Sequence, residues 1–361
     1  MEQFSKENSL ELKGIGIILM FIHHLFLQEE NWRGIDVQFL LFSKETVHQI
    51  ADFNKVCVAL FLFVTAYGMT LKFRQAEGRR GELAHITTKK YISLLLFFFF
   101  VFVFSHILWL IFGKATNLQL YGQGFSKVLF FLFDATGISP FYGSPMLNVT
   151  WWYMPVVFSA LLILPVLWKF YKTIGLLLIP AAMLLPSMFN IPTSYGTSYL
   201  LTMTLGICAA DKGLIEKISA LKLPGGIFGK CIKLLCELGL VWILYRQRTS
   251  IGYLALVDGS FAFLAAILVH EFIGKIKGVR WGLRILGKNS MNMFLTHSFI
   301  MLYLFPDFIY SFRYSMLIFV VLLIFTLAIS YVIEGLKKLC RFYTLHFKVM
   351  EKIDKLNWEA L

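Results

Sequence analysis

Long apolar runs separated by short polar and basic segments dominate this chain. Ten of the runs are close to the roughly 20 residues that a membrane-spanning helix needs. They lie at 12–28, 53–71, 91–112, 151–168, 173–189, 194–210, 231–246, 252–274, 285–305 and 312–336. The pattern predicts an all-α, polytopic integral membrane protein with about ten transmembrane helices. We expect one membrane domain over 1–340 and a short tail at 341–361.

The basic residues follow the apolar runs in a way that predicts orientation. Of the 34 lysines and arginines, the large majority fall on the cytoplasmic side if the N-terminus is cytoplasmic. Both termini are then cytoplasmic. The net charge of +13 does not predict a nucleic-acid partner, because the basic residues cluster between apolar runs. We therefore expect a multi-pass protein of the cell membrane.

Composition excludes a separate soluble domain. Charged residues make up 15% of the chain, against about 25% in a soluble domain. The first apolar run is followed by further runs and lacks a small-residue cleavage site, which predicts a retained helix. The five cysteines are scattered without zinc-site spacing, so we predict no metal.

Two ionisable side chains share one face of the first predicted helix. Lys13 and His24 are eleven residues apart, and eleven steps of about 100° return to within roughly 20° of the start. They are separated by roughly 16 Å along the axis. The neighbouring His23 points to a different face. Ionisable groups at membrane depth are functional candidates.

The chemistry of this pair suits group transfer. A histidine moves a proton near neutral pH and can act as a general base on a hydroxyl. A lysine at a cytoplasmic helix end is a point charge suited to a phosphate. Two alternatives stay open: Lys13 as an inner-face anchor whose ammonium snorkels to water, and His24 as a helix–helix hydrogen-bonding group.

The first helix resembles that of the family-3 membrane acyltransferases, whose mark is a basic residue, ten intervening residues and a histidine. Here these are Lys13 and His24. Three further stretches resemble the family: Phe61–Gly68, Trp151-Trp152-Tyr153-Met154 with Pro165, and Gly287–His297.

The resemblance has departures. Lys13 stands where arginine is usual, Thr65-Ala66 replaces a Ser-Gly pair, and Val156-Val157 occupies the place of an acidic residue. Lys89 and Lys90 match the family's arginine pair loosely.

The resemblance implies transfer of an acyl group, usually acetyl from acetyl-CoA, to a hydroxyl of a cell-surface carbohydrate. The implied setting is the bacterial cytoplasmic membrane. The implied partners are acyl-CoA, the glycan or its precursor, the bilayer and membrane proteins of glycan synthesis. Lys13 and His24 would be the catalytic pair, with Lys13 also on the donor. A predicted phosphate clamp consists of Arg79, Arg80, Lys89 and Lys90; the alternative is positive-inside bias.

The acceptor side has candidates near the predicted outer surface. They are Asn148, Trp151, Trp152, Asp258 and His297. Asp258 has no obvious basic neighbour in sequence. An aromatic belt or helix packing would explain the same side chains. The long connection 113–150, with its apolar run 128–133, is predicted to be a lid or a re-entrant element, or alternatively a mobile surface loop.

Two rival functions remain open at this point. A transporter or flippase of a glycan or lipid-linked sugar would also carry mid-membrane polar residues, although the paired, broken helices of such proteins are not evident. A non-catalytic scaffold of a glycan-synthesis complex would tolerate changes at Lys13 and His24.

Overall fold

The computed structural model describes residues 3–112, 120–189, 197–250 and 254–358. It is 83% helical, and no strand forms within these ranges. Among the described residues, six helical stretches are long and apolar enough to cross a membrane. They are Lys6–Phe26, Lys44–Gln75, Glu82–Phe112, Val149–Leu184, Leu254–Lys275 and Ser315–Leu339. The all-α, polytopic prediction is confirmed, and the number ten stays a prediction.

Sixteen α-helices are described in these ranges. They are α1 Lys6–Phe26, α2 Lys44–Phe53, α3 Cys57–Gln75, α4 Glu82–Phe112, α5 Gly124–Ala135, α6 Ser139–Tyr142, α7 Tyr153–Ile174, α8 Leu178–Met188, α9 Leu200–Lys212, α10 Leu214–Ser219, α11 Ile227–Ser250, α12 Leu254–Glu271, α13 Lys277–Ser298, α14 Pro306–Tyr310, α15 Ser315–Leu339 and α16 Phe342–Asp354. The predicted runs 231–246 and 285–305 lie largely in α11 and α13. Part of 194–210 lies outside the described residues.

The chain divides into two compact units. Unit 1 comprises 1–23, 49–79 and 162–288, and unit 2 comprises 24–48, 80–161 and 289–361. The predicted boundary at residue 340 stays a prediction. Helices α1, α2, α7 and α13 each contribute residues to both units.

Unit 1 is built on close contacts among α3, α9 and α12. Small residues allow this approach. A Cβ on Gly206 would lie 2.8 Å from the Ala66 Cβ and 3.0 Å from the Phe63 carbonyl oxygen. A Cβ on Gly259 would lie 3.3 Å from the Thr202 nitrogen. Membrane helices associate through such small residues, because lipid offers little hydrophobic drive for association.

Unit 2 is built around α4, which contacts α15 and α16. Phe342 of α16 places its ring 5.1 Å from those of Phe97 and Phe100. The predicted outer connection contains α5 and α6, so its apolar run 128–133 forms a helix. Residues 113–119 lie outside the described part of the chain.

Candidate active site

Helix α1 carries both Lys13 and His24, as the sequence predicts. The helix continues from Lys6 to Phe26, and the division between the units falls between His23 and His24. The surroundings of Lys13 therefore belong to unit 1 and those of His24 to unit 2.

In unit 1, two glycines bring the backbones of α1 and α13 together beside Lys13. A Cβ on Gly14 would lie 2.3 Å from the Leu283 carbonyl oxygen, and one on Gly287 would lie 1.9 Å from the Leu10 carbonyl oxygen. No side chain fits at either position. The half-buried Lys13 is thus held on a helix whose distance from α13 is set by backbone contact.

An ion pair supports the same contact. The carboxylate of Glu11, which has no exposed surface, accepts from the Arg284 Nε at 2.7 Å. Asn8 donates to the other oxygen of Glu11 at 3.0 Å. A buried charge needs such partners to be tolerated. The start of α1 is therefore fixed by polar as well as backbone contacts.

In unit 2, the structure brings together His24 and His297. Their ring centroids are 5.0 Å apart, with an interplanar angle of 44°. His297 is fully buried, and its Nδ1 lies 2.6 Å from the Phe294 carbonyl oxygen. Because a carbonyl only accepts, Nδ1 must carry the hydrogen, and in the neutral ring Nε2 is the acceptor nitrogen.

The carbonyl group of Leu295 receives two side-chain donors in unit 2. Asn148 donates through Nδ2 at 3.3 Å, and Trp151 donates through Nε1 at 3.0 Å. The Oδ1 of Asn148 accepts from the Ser298 hydroxyl at 2.9 Å. These bonds hold the turn of α13 that carries His297.

The same turn is where α13 changes its geometry. Residues Phe299–Leu304 form a π-helix, and the Phe305 nitrogen donates to the Ile300 carbonyl oxygen at 2.9 Å. Single π-turns inside helices are frequent at functional sites. His297 thus lies immediately before a break in helical register, on a segment held by side-chain hydrogen bonds.

The predicted acceptor residues of the Trp motif differ in accessibility. Asn148 and Trp151 are 0% and 1% exposed, and their described contacts are with protein groups. Acceptor binding by them stays a prediction, and the contacts favour a positioning role instead. Trp152 is half-buried beside Tyr153, with ring centroids 6.5 Å apart.

Asp258 in unit 1 has a basic partner that the sequence interpretation missed. Its Oδ1 accepts from the Arg248 Nε at 2.9 Å, and both side chains are buried. Arg248 also donates to the Asp52 carbonyl oxygen at 2.8 Å. Arg248 is not an obvious neighbour in sequence, and the two residues meet because α11 and α12 pack together. Acceptor binding by Asp258 stays a prediction.

The four residues of the predicted phosphate clamp lie on and after the turn between α3 and α4. Arg79, Arg80 and Lys90 are exposed. Lys89 in unit 2 instead pairs with Asp354, at 2.6 and 2.8 Å to the two carboxylate oxygens. Hydrogen bonds from Lys89 and then His85 lower the pKa of Asp354. The clamp stays a prediction, and Lys89 would have to exchange this partner to join it.

A polar network joins α13 and α15 in unit 2. Glu334 forms an ion pair with Lys337 at 2.8 Å. Asn292 donates to the Ser330 hydroxyl and to Glu334, at 3.1 and 2.8 Å. Lys337, which is 2% exposed, also donates to Asn292 at 3.1 Å. The three-residue spacing of Glu334 and Lys337 was the available signal.

A second buried chain in unit 2 joins the outer connection to α4. The Tyr121 hydroxyl donates to Asp134 at 2.7 Å and lies 3.1 Å from the His106 Nε2. The Leu147 nitrogen donates to the same Asp134 oxygen at 2.7 Å. Burial raises the pKa of Asp134 to about 6. The spacing of these residues in the sequence does not indicate this arrangement. Tyr121 precedes α5, and its contacts with Asp134 and His106 form only in the folded protein.

The described residues hold no group of three or more His, Cys, Asp or Glu side chains that could bind a metal ion. The prediction of no metal stays a prediction.

Comparison with known proteins gives one match. A family model described as an acyltransferase domain, that of family 3, matches residues 8–335, nearly the whole chain. No curated protein and no solved structure matches. The match includes both halves of α1, the Trp motif and the His297 segment. With the all-helical polytopic fold, it shows that this chain belongs to the family-3 acyltransferases and is a membrane acyltransferase.

Proposed function

We propose that this acyltransferase moves an acetyl group from acetyl-CoA to a hydroxyl of a cell-surface carbohydrate, in the cytoplasmic membrane of a bacterium. His24 is the general base, and Lys13 holds a phosphate of the donor. The observation that carries the proposal is the contact between His24 and the fully buried His297, whose Nδ1 is fixed by a carbonyl oxygen.

The reaction balances with His24 as the proton carrier. Its neutral ring accepts the proton of the sugar hydroxyl, and the oxygen forms a bond to the thioester carbonyl carbon. The carbon–sulfur bond then breaks, and the imidazolium returns the proton to the sulfur of CoA. No covalent acyl-enzyme is needed.

His297 orients this base. A ring fixed at Nδ1 and packed at 5.0 Å from His24 limits the rotamers open to His24. Asn148 and Trp151 act one step further away, since they hold the Leu295 carbonyl oxygen. Orientation of a catalytic group is a large part of rate enhancement.

The test measures transfer of labelled acetyl from acetyl-CoA to a crude surface-glycan extract by purified protein in lipid. Wild type is expected to label the glycan, and His24→Asn to lose about 10²–10⁴-fold in rate, the range typical of a lost general base.

The matched control is His23→Asn on the same helix. The His23 Nδ1 lies 2.7 Å from the Ala51 carbonyl oxygen, and an asparagine amide can still donate there. Wild-type rates in His24→Asn would overturn His24 as the base. Absence of both acetyl-CoA binding and transfer in wild type would contradict the proposed donor and reaction.

A further inference from the structure

The connection between α4 and α7 places the carboxylate of Asp134, a residue of α5, inside unit 2. Asp134 is 1% exposed, and its Oδ2 accepts from both the Tyr121 hydroxyl and the Leu147 nitrogen, each at 2.7 Å. The proposed reaction does not use this group. A buried carboxylate is tolerated only where donors satisfy it, so the two contacts fix the positions of both donor groups.

The Leu147 contact leads to the histidine pair. The next residue, Asn148, accepts from the Ser298 hydroxyl at 2.9 Å and donates to the Leu295 carbonyl oxygen at 3.3 Å. Trp151, three residues further on, donates to the same carbonyl oxygen at 3.0 Å. The carboxylate of α5 is therefore connected, through the backbone of segment 147–151, to the turn of α13 that carries the buried histidine.

The Tyr121 contact leads to α4. The Tyr121 hydroxyl lies 3.1 Å from the His106 Nε2. The Phe131 ring of α5 lies 5.6 Å from the His106 ring and 5.3 Å from the Phe102 ring, measured between centroids. Phe102 also packs on Trp151, with centroids 5.8 Å apart. The connection thus lies against the same part of α4 that supports segment 147–151.

A glycine places the end of α5 against α7. Gly137 has a φ of +71°, and a Cβ there would lie 3.0 Å from the Met154 Cβ and 3.1 Å from the Phe158 Cε2. Glycine is the residue that accepts both this backbone conformation and this close approach. The chain is thus held on α4 before α5 and on α7 after it, and Asp134 lies between these two fixed points.

We propose that Asp134 is a positioning residue for acyl transfer. Its carboxylate fixes the backbone at the start of segment 147–151, and the side chains of this segment hold the turn of α13. That turn keeps His297 against His24. The expected effect on the rate rests on the proposed function, in which His24 is the base. The expected effect on the turn of α13 does not depend on it.

The first test measures the turn of α13 itself, by hydrogen–deuterium exchange of the full chain in nanodiscs. Asp134→Leu removes the acceptor for Tyr121 and Leu147 and keeps a side chain of similar size. We expect backbone amides in segments 147–152 and 295–304 to exchange about tenfold faster than in wild type, because the hydrogen bonds that hold them are lost.

The matched control is Phe342→Ala, which removes a buried ring from the contact of α16 with α4 in the same unit. General destabilisation of unit 2 would raise exchange in both variants. An increase in the two segments that is specific to Asp134→Leu supports the proposal. Exchange equal to wild type in Asp134→Leu, or an equal increase in both variants, overturns it.

The second test measures acetyl transfer and separates kcat from KM. Asp134→Leu should lower kcat about tenfold or more and leave the KM for acetyl-CoA unchanged, since misplaced catalytic groups slow the reaction without weakening donor binding. A raised KM with unchanged kcat would overturn the positioning role.

Two conservative variants make the test independent of whether Asp134→Leu folds. Asp134→Asn keeps an oxygen that accepts from Tyr121 and Leu147, so it should recover kcat to within about threefold of wild type. Asp134→Glu keeps the charge but moves both oxygens by the length of a methylene group, and it should lower kcat and raise exchange at 295–304. A loss of kcat in Asp134→Asn with wild-type values in Asp134→Glu would overturn the proposal, because charge and not position would then matter.

The exchange and transfer measurements allow the two proposals to fail separately. Acetyl transfer by wild type with the same kcat in Asp134→Leu overturns the role of Asp134 and leaves the proposed function standing. Faster exchange at 295–304 in Asp134→Leu, without acetyl transfer by wild type, overturns the proposed function. It keeps Asp134 as the residue that positions the turn of α13.

Discussion

At the scale of single residues, the structure distinguishes ionisable side chains that form buried ion pairs from those that remain available for chemistry. Asp258 and Arg248 form a buried pair, whereas His24 packs against another histidine. The sequence could identify each ionisable residue as a candidate. It could not identify Arg248 as the partner of Asp258, because the pairing needs the α11–α12 contact.

We expect Asp258→Asn to be destabilising. Removing one member of a buried pair costs about 3–5 kcal/mol when the other charge is left uncompensated. The Asp52 carboxylate, 3.5 Å from the Arg248 guanidinium, keeps the cost here below that range. The double variant Arg248→Met/Asp258→Leu should recover much of this loss. Thermal unfolding in detergent measures both. An unaltered melting temperature with a raised KM for the glycan would instead favour acceptor binding by Asp258.

Asp134 predicts a pH dependence of stability. Its pKa rises from 3.8 to about 6 on folding, chiefly by burial. The folded state therefore favours the protonated acid, and this stabilisation is complete below pH 3.8 and lost as pH rises to about 6. Its upper bound is about 3 kcal/mol.

Asp134→Asn should remove this dependence, since asparagine stays neutral and can still accept from Tyr121 and Leu147. Unfolding curves measured between pH 4 and 7 should show that the stability of the variant increases relative to that of wild type as the pH rises. Parallel curves for the two proteins would contradict the role of Asp134.

At the scale of elements, the apolar pattern predicts where helices lie better than where they end. The run 91–112 predicts the membrane part of α4, but the helix begins earlier, at Glu82. Its first turns are polar, so the apolar pattern does not include them. The run 128–133 lies in a connection for which the sequence leaves a lid, a re-entrant element and a mobile loop open, and the structure places it in α5. Apolar residues alone do not show that a helix starts at Gly124.

The α1–α13 contact gives a prediction at this scale. Gly14→Ala would put a methyl group 2.3 Å from a carbonyl oxygen, so the helices must separate. We expect a loss of about 1–3 kcal/mol, as for other overpacked contacts, and reduced activity.

Gly282→Ala is the control, because nothing lies within 4 Å of its Cβ position and alanine favours a helix. A melting temperature of Gly14→Ala equal to that of Gly282→Ala would contradict the close approach.

At the scale of the whole molecule, the family could be identified from four short stretches, because their order and spacing extend along most of the chain. The polar surroundings of the site could not be predicted from those stretches. Asn148, predicted to lie near the outer membrane surface, is buried and donates to the Leu295 carbonyl oxygen of α13. This contact depends on how the segment before α7 packs on α13 within unit 2. Only the fold therefore shows which residues of a motif position other groups and which take part in the chemistry.

The C-terminal helix shows how the end of the chain stabilises unit 2. Phe342 of α16 packs on Phe97 and Phe100, and we expect Phe342→Ala to cost about 3–5 kcal/mol. Phe347→Ala is its control, since Phe347 is 68% exposed on the same helix. Thermal unfolding in one detergent compares them. Equal melting temperatures would show that α16 adds little to unit 2.

The π-helix at Phe299–Leu304 allows the length of the chain after it to change while the geometry of the site stays the same. A π-turn closes over five residues where an α-turn closes over four, so this segment holds a residue in excess of a regular helix. Loss or gain of one residue here can be absorbed by a change of local winding. His297 precedes the segment, so its orientation toward His24 survives such a change. The loop that follows this segment can therefore vary in length without moving the histidine pair.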